Sequence, residues 1–322
     1  MKRPTEFMGR MDRLLEWWGQ KNLGDINRIT CKRYVTERGS KSAARRELED
    51  LRAAVNLYIA DGLCRDAVKI TLPEKHDARV TYFTREQVAA LLWHCWTTRE
   101  TQTIHRGPRK GETVETGRRP LRHLCRYILT AVYTGTRSAR IYEAAFVQED
   151  GRPWLDLDGE IYYRRGEDEQ VAANKRAGSI RLPRRLLAHM RRWRQGVWKR
   201  DAKSGRWFRD APSTYLVEYR GGPANPKKAL ARAMDDVFGE DHQFVAHTFR
   251  HTAVTWLMWS GEDLNDIAAY ASMTREVLED VYGHHHPSAH QAIGDAFSQG
   301  RAGRRKGTSG ERNRPRRQVA TG

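Results

Sequence analysis

The chain reads as a mostly α-helical protein with one small antiparallel β-sheet, an α+β architecture, and three observations lead there. Apolar residues recur at spacings of three and four through several long segments, the period of a helix with one buried face. Two short apolar runs, Trp154-Leu155-Asp156-Leu157 and Glu160-Ile161-Tyr162-Tyr163, flank Asp158-Gly159, the signature of a short hairpin. A stretch without periodicity, Thr71 to Phe83, contains Pro73 and mixed charges and separates an all-helical beginning from the longer remainder of the chain. These divide the chain into a helical domain over 1–78, a larger domain over 79–298 and a basic tail over 299–322.

The elements are taken in order. Leu14, Leu15, Trp17 and Trp18 fit a helix from Met8 to Trp18, and Thr30 is placed to cap a second through Tyr34. From Ser42 the residues Ala44, Leu48, Leu51, Val55 and Tyr58 form the clearest stripe of this region, closed by Gly62. Arg45, Arg46 and Arg52 on these helices are placed to touch phosphates, although solvation is the ordinary fate of each. Thr84 with Gln87 makes a capping box for a helix whose inner stripe is Val88, Leu91, Leu92 and Cys95. Thr97 to Arg119 is polar and rich in Thr, Gly, Arg and Lys. A mobile surface loop is favoured there over a basic arm that orders on a partner. Pro120 opens a buried helix, with Leu121, Leu124, Ile128, Leu129 and Val132, that arrives at Thr134-Gly135-Thr136-Arg137. After the hairpin, a third strand is expected at Ser179 to Leu182, with Lys175 in the turn before it. Helices are expected from Leu186 to Trp198 and from Pro226 to Phe238, with a strand-like run at Tyr215 to Tyr219 between them. The Pro/Gly/Arg-rich residues from about Gln299 onward cannot bury a core and are expected to be disordered.

Composition narrows the function classes. Hydrophobic residues make up 39% and charged residues 30%, the balance of a soluble globular protein with a polar surface. No run approaches the ~18 apolar residues of a membrane span, and Met1-Lys2-Arg3-Pro4 has no apolar segment behind it. Cys31, Cys64, Cys95 and Cys125 lie at least thirty residues apart, which is neither a metal nor a redox spacing. Reduced thiols and a cytoplasmic location are therefore expected. The net charge of +18 points to a polyanion, first of all nucleic acid. The basicity is spread: +7 over residues 301–322, +5 over residues 1–80, and +6 over the middle.

The stretch from His247 to Tyr282 carries the strongest chemical signal. His247 and Arg250 in His247-Thr248-Phe249-Arg250-His251 stand three apart, on one face of a helix, so a base and a cation can meet one anion. Tyr282 ends a short helical run that begins after Thr274, a good N-cap. With Arg137 and Lys175 these residues supply what cleavage of a phosphodiester needs without a metal: a nucleophile, positive charge on the non-bridging oxygens, and a proton for the leaving alkoxide. Guanidiniums suit the charge role because they bind phosphate bidentately and stay protonated. Lysine suits the proton-donor role because burial and nearby cations lower its pKa. Attack by tyrosine leaves a phosphotyrosyl ester that stores the bond energy for rejoining. Taken singly each residue has a plain structural reading; the order, spacing and helix-hairpin-helix placement together favour chemistry. His284-His285-His286 with His290 also invites a metal reading, which is the weaker one, and no cofactor or metal is expected.

In these motifs the chain resembles the tyrosine recombinase family, the phage integrases, from about residue 8 to 295. Thr-Gly-x-Arg supplies Arg137, the hairpin turn Lys175, the His-x-x-Arg box His247 and Arg250, and Tyr282 takes the place of the nucleophile. Met273, nine residues before Tyr282, stands where the family usually has His or Trp. A thioether cannot donate a hydrogen bond, so one contact to the phosphate is expected to be lost, with packing kept and cleavage altered or slowed. The acid often found three residues after the first arginine is replaced by Arg140. The resemblance implies a helical DNA-clamping domain before a tyrosine-recombinase-like catalytic domain. It also implies double-stranded DNA as substrate, a homotetramer on two DNA sites, and site-specific recombination through a 3'-phosphotyrosine. A DNA-binding protein of the same fold with a decayed site, and a type IB topoisomerase-like enzyme, are the alternatives.

Overall fold

A computed structural model describes residues 4–64, 68–75, 81–169, 177–196, 198–200, 207–209 and 212–286. The chain divides into two compact units, residues 1–79 and residues 80–322. Lys175, His290 and the basic tail lie outside the described residues.

The described residues of the first unit form three α-helices, α1 (Pro4–Trp18), α2 (Arg28–Arg38) and α3 (Lys41–Ala60), with a 3-10 turn at Leu23–Asp25 between the first two. The second helix starts a turn earlier than Thr30. The Asn27 side chain accepts from the amides of Ile29 and Thr30, and the Thr30 hydroxyl accepts from the Asn27 amide in return. Leu14, Trp18, Cys31, Tyr34, Ala44, Leu48, Val55 and Ile70 form its core. The stripe on α3 therefore faces inward as its spacing predicts, except at its last turn, where Tyr58 is exposed. Glu47 is buried in this core and stays satisfied by accepting from the Tyr34 hydroxyl at 2.7 Å and pairing with Arg38 at 3.0 Å. Arg45 is engaged within the unit, pairing with Glu49 and donating to the Pro73 carbonyl.

The second unit begins with Phe83, whose ring packs among Phe238, Phe244 and Phe249 and whose amide donates to the Thr252 hydroxyl at 2.9 Å. Its helices are α4 (Arg85–Thr97), α5 (Arg122–Thr134), α6 (Ser138–Tyr142), α7 (Arg184–Gln195), α8 (Lys227–Phe238), α9 (Thr248–Ser260), α10 (Leu264–Ala271) and α11 (Arg275–Tyr282). The capping box of Thr84 and Gln87 opens α4 in agreement with the sequence. Helix α5 packs against both α4 and α9, which buries its apolar stripe on two sides.

Among the described residues, four small antiparallel sheets interrupt the helices. Numbering strands in chain order, β1 (Thr101–Thr103) pairs with β2 (Thr113–Glu115) in the segment where the sequence favours a mobile loop. Threonines favour extended backbone, and the turn at the tip closes through Gly107 and Gly111, both at positive φ. The main sheet has the order β3 (Trp154–Asp156), β4 (Ile161–Tyr163), β5 (Ile180–Arg181), matching the hairpin and third strand that the sequence predicts. Beyond α7, β6 (Trp198–Arg200) pairs with β7 (Trp207–Arg209), and the helix expected to reach Trp198 stops at Gln195, where Gly196 follows at positive φ. Of the strand-like run at Tyr215 to Tyr219 only β8 (Glu218–Tyr219) forms a ladder, with β9 (Gly222–Pro223). The Glu218 carboxylate folds back onto the amides of Thr214 and Tyr215 and rounds off the segment before it.

Candidate active site

The two arginine motifs meet through the backbone. Helix α5 ends at Gly135, in the left-handed conformation with φ of 59°, and Arg137 is the residue that caps α6. The turn is held from within by the Thr134 hydroxyl, which donates to the Thr130 carbonyl and meets the Thr136 hydroxyl at 2.8 Å. It is held from outside by Arg250, whose Nη1 donates to the Gly135 carbonyl at 2.7 Å. Arg250 is only 5% exposed, so this bond links the first turn of α9 directly to the peptide two residues before Arg137.

Burial lowers the pKa of Arg250 to about 10, with Arg137 adding repulsion. Burial also lowers that of Arg137, with Arg140 next. Two guanidiniums near enough to repel one another favour the binding of an anion. The α9 N-terminus adds the positive end of a helix dipole. Arg140, in the place of the usual acid, is itself neutralised: its two terminal nitrogens pair bidentately with Glu169 at 2.5 and 2.8 Å. The position that lacks a carboxylate in sequence thus gains one from the loop after β4.

His247 is the residue preceding α9, and its ring lies edge-on to that of His251, 4.9 Å away. Its imidazole edge reaches solvent, yet packing around the rest of the ring, then His251, Arg250 and Arg137, lowers its pKa to about 4. The direct partner of Tyr282 is His251: the Tyr282 hydroxyl and His251 Nδ1 share a hydrogen bond of 2.5 Å. Burial, then Arg250, lowers the His251 pKa, so its imidazole is neutral near pH 7 and available as an acceptor. Burial raises the Tyr282 pKa to about 12, while Arg250 pulls it down.

Tyr282 is 3% exposed and sits in an apolar cluster with Val254, Met258, Ile267, Ala268, Ala271 and Leu278. Met273 packs against that cluster half-buried, where its thioether contributes apolar contact and no donor. Thr274 caps α11 by accepting from the Val277 amide, as its sequence position predicts.

Two residues of the site escape a reading of the sequence. His251 stands one helical turn from His247 in the same five-residue motif, and that spacing is the available signal. Arg164, at the end of β4 and 2% exposed, donates to the Gly178 carbonyl at 2.6 Å, the Tyr270 carbonyl at 2.9 Å and the Ser272 hydroxyl at 2.7 Å. It joins the β4–β5 connection to the end of α10, just before Met273. No feature of the sequence distinguishes it from its exposed neighbour Arg165. The structure therefore brings Arg137, His247, Arg250, Met273 and Tyr282 into one region, while Lys175 falls outside the described residues.

The histidines after Tyr282 are placed separately. His285 contacts the rings of Tyr82 and Trp259, and His286 donates to the Glu262 carbonyl at 3.2 Å. Among the described residues no three His, Cys, Asp or Glu side chains form a metal-binding group, and no helix is long and apolar enough to cross a membrane.

No known family model matches the chain. Among curated proteins it is similar to the tyrosine recombinase XerC of Halalkalibacterium halodurans, 30% identical over 95 residues, which is 25% of this chain. That match spans 31% of the length of XerC. Among solved structures it is similar to the Tn1549 transposon integrase in complex with transposon right end DNA. The TM-score is 0.61 at 13% identity, covering 91% of this chain and 94% of that one. It is also similar to the XerH site-specific recombinase bound to palindromic difH substrate, with a TM-score of 0.51 at 14% identity over 90% of this chain and 77% of that one.

Proposed function

We propose, from a chain that has the fold of the tyrosine recombinases, that this protein is a site-specific DNA recombinase acting through a 3'-phosphotyrosine. The observation that carries the proposal is the hydrogen bond from Tyr282 to His251 beside the buried Arg250, which in turn holds the turn leading to Arg137. A candidate nucleophile and a neutral base thereby lie beside a buried cation at the start of α9, with Arg137 close enough to repel it.

In this mechanism the scissile phosphate binds between Arg137 and Arg250, which neutralise its non-bridging oxygens as negative charge grows on them. Tyr282 Oη attacks phosphorus as its proton passes to His251 Nδ1. The bond from phosphorus to the 5' oxygen breaks, and Lys175 protonates the departing oxygen. His247 contacts the phosphate or assists the proton transfer. The products are a 3'-phosphotyrosyl ester and a free 5'-hydroxyl. Rejoining reverses each step: a 5'-hydroxyl attacks phosphorus, and His251 returns the proton to Tyr282. Met273 serves by packing the α10–α11 turn. The helical first unit is assigned to clamping duplex DNA and the second to catalysis, with four protomers assembling on two sites as the family resemblance implies.

The test uses a pool of nicked duplexes of randomised sequence, from which cleavage releases a short fragment that cannot religate. Wild-type protein is expected to accumulate a covalent protein–DNA adduct on a denaturing gel, and Tyr282→Phe none. Binding without an adduct in wild type, or equal adduct from the variant, overturns the mechanism.

A further inference from the structure

The β1–β2 hairpin has no role in the active site, and its construction is unusual. Thr101, Gln102, Thr103, Thr113 and Glu115 are all exposed, and Val114 is half-buried, so neither face of the ribbon rests on a core. A two-stranded ribbon of this kind is marginal by itself. Yet the pairing continues past the strands in both directions. At the root the Glu100 amide donates to the Arg118 carbonyl at 2.9 Å, and the Thr116 amide donates to the Glu100 carbonyl at 2.7 Å. Towards the tip the amides of Ile104 and Gly111 donate to the carbonyls of Glu112 and Ile104, each at 2.8 Å. The Arg119 guanidinium fastens the root to α4 by donating to the Trp96 carbonyl at 2.7 Å.

The charge is concentrated at the end. Arg106, Arg109 and Lys110 are exposed at the tip, and from Thr101 to Gly111 there is no acid. Arg109 does reach Glu112 at 2.7 Å, but that pair is solvated on both sides and holds little of the cation's field. Behind the tip, Thr101 and Thr103 share one face of the ribbon with Thr113 and, at its root end, Glu115, which lies 4.0 Å from Arg99, since alternate residues point the same way. A hydroxyl-bearing ribbon with a cationic end fits one polyanion: a two-stranded ribbon enters the major groove of B-DNA, and threonines both donate to and accept from base edges.

We propose that the β1–β2 hairpin is a second DNA contact of this protein, with Arg106, Arg109 and Lys110 on phosphates and the Thr101–Thr103–Thr113 face turned to the groove. The hairpin stands before the N-terminal end of α5, and Arg137 lies just past its C-terminal end. An α5 of 13 residues puts the root roughly 20 Å along the helix from the catalytic turn. The contact thus lies beyond the scissile phosphate and adds affinity and orientation without joining the chemistry. It rests on the proposal that duplex DNA is the substrate and is independent of Tyr282.

The experiment compares the full-length protein with the triple variant Arg106→Gln, Arg109→Gln, Lys110→Gln on a fluorescent thirty-base-pair duplex, by anisotropy across a series of salt concentrations. Each lost phosphate contact lowers the slope of log affinity against log salt by about 0.9, so the variant's slope is expected to fall by about 2 to 3. Its melting temperature should match wild type, since the three side chains are exposed. Its adduct with nicked DNA should still form at low salt. An unchanged slope and affinity overturns the hairpin contact while leaving the Tyr282 mechanism standing. The expected fall in slope, in a protein whose wild type forms no adduct, supports the hairpin contact and overturns the Tyr282 mechanism.

Discussion

Tyr282 and His251 form a pair whose protonation states are set by what surrounds them. A phenol raised to about 12 by burial stays protonated at pH 7, so the proposed attack requires the proton to leave as the bond to phosphorus forms. The acceptor must be neutral. His251 is held below the ordinary histidine range by burial and then by Arg250, and His247 is lowered to about 4. Both imidazoles take up protons more readily in the unfolded chain, so the fold favours their neutral forms and loses that advantage as pH falls from about 6.5 toward 4. The rate of adduct formation is therefore expected to be level from pH 8 to about 6.5 and to decline only within that acid window. A decline that already begins above pH 7 would assign the base to a different group. Glu169 cancels the charge of Arg140, which would otherwise sit unbalanced beside Arg137.

At the scale of elements, α9 acts as the organiser. Its first turn presents His247, Arg250 and His251, its flank packs on α5, and its far side meets the cluster that seats α11. Arg164 does the corresponding work for the sheet, tying the β4–β5 connection to the last turn of α10. The Ser272 that receives one of its bonds is itself in the left-handed conformation, with φ of 52°, a backbone state that a non-glycine residue adopts at some cost. Ser272→Ala leaves the Arg164 Nη2 without its acceptor inside the protein. The expected loss is about 1–3 kcal/mol of stability, read as a lower midpoint in urea unfolding with an unchanged slope. If the midpoint does not move, Arg164 has found another acceptor and the tie is dispensable.

The capping box of Thr84 and Gln87, the stripe on α3 and the β3–β4 hairpin are legible in the sequence because each is written in local spacing. The β1–β2 hairpin is not. Its strands have exposed faces, so they lack the alternation of apolar and polar residues that marks a half-buried strand. The end of α7 is equally hard to place, because Trp198 continues an apolar pattern that backbone geometry at Gly196 interrupts.

For the whole molecule, two units with separate cores account for how the chain holds together. One core gathers around Leu14, Tyr34 and Leu48; the larger gathers around Phe83, Leu124, Ile128 and Phe249. No buried residue is shared between these two clusters. Residues 1–79 and 80–322 expressed apart are accordingly expected to fold independently, each with a cooperative thermal transition followed by far-ultraviolet circular dichroism. A first unit that stays unfolded alone would show that its small core depends on the second. The charge of +18 is a property of the whole chain, and the proposed DNA binding is expected to depend steeply on salt, with the hairpin tip contributing one part.

Sequence by itself pointed to the proposed reaction class. The residue types able to cleave a phosphodiester, and the spacings that put His247 beside Arg250 and a capped helix before Tyr282, are local properties of the chain. Tertiary structure alone decided which groups touch. It paired Tyr282 with His251, set Arg250 on the carbonyl of Gly135, replaced a missing acid at Arg140 with Glu169, and chose Arg164 from among many arginines for burial. Each of these contacts, Tyr282 to His251 included, joins segments distant in the chain. A hydrogen bond between distant segments depends on how helices and strands pack, and one-dimensional spacing does not encode it.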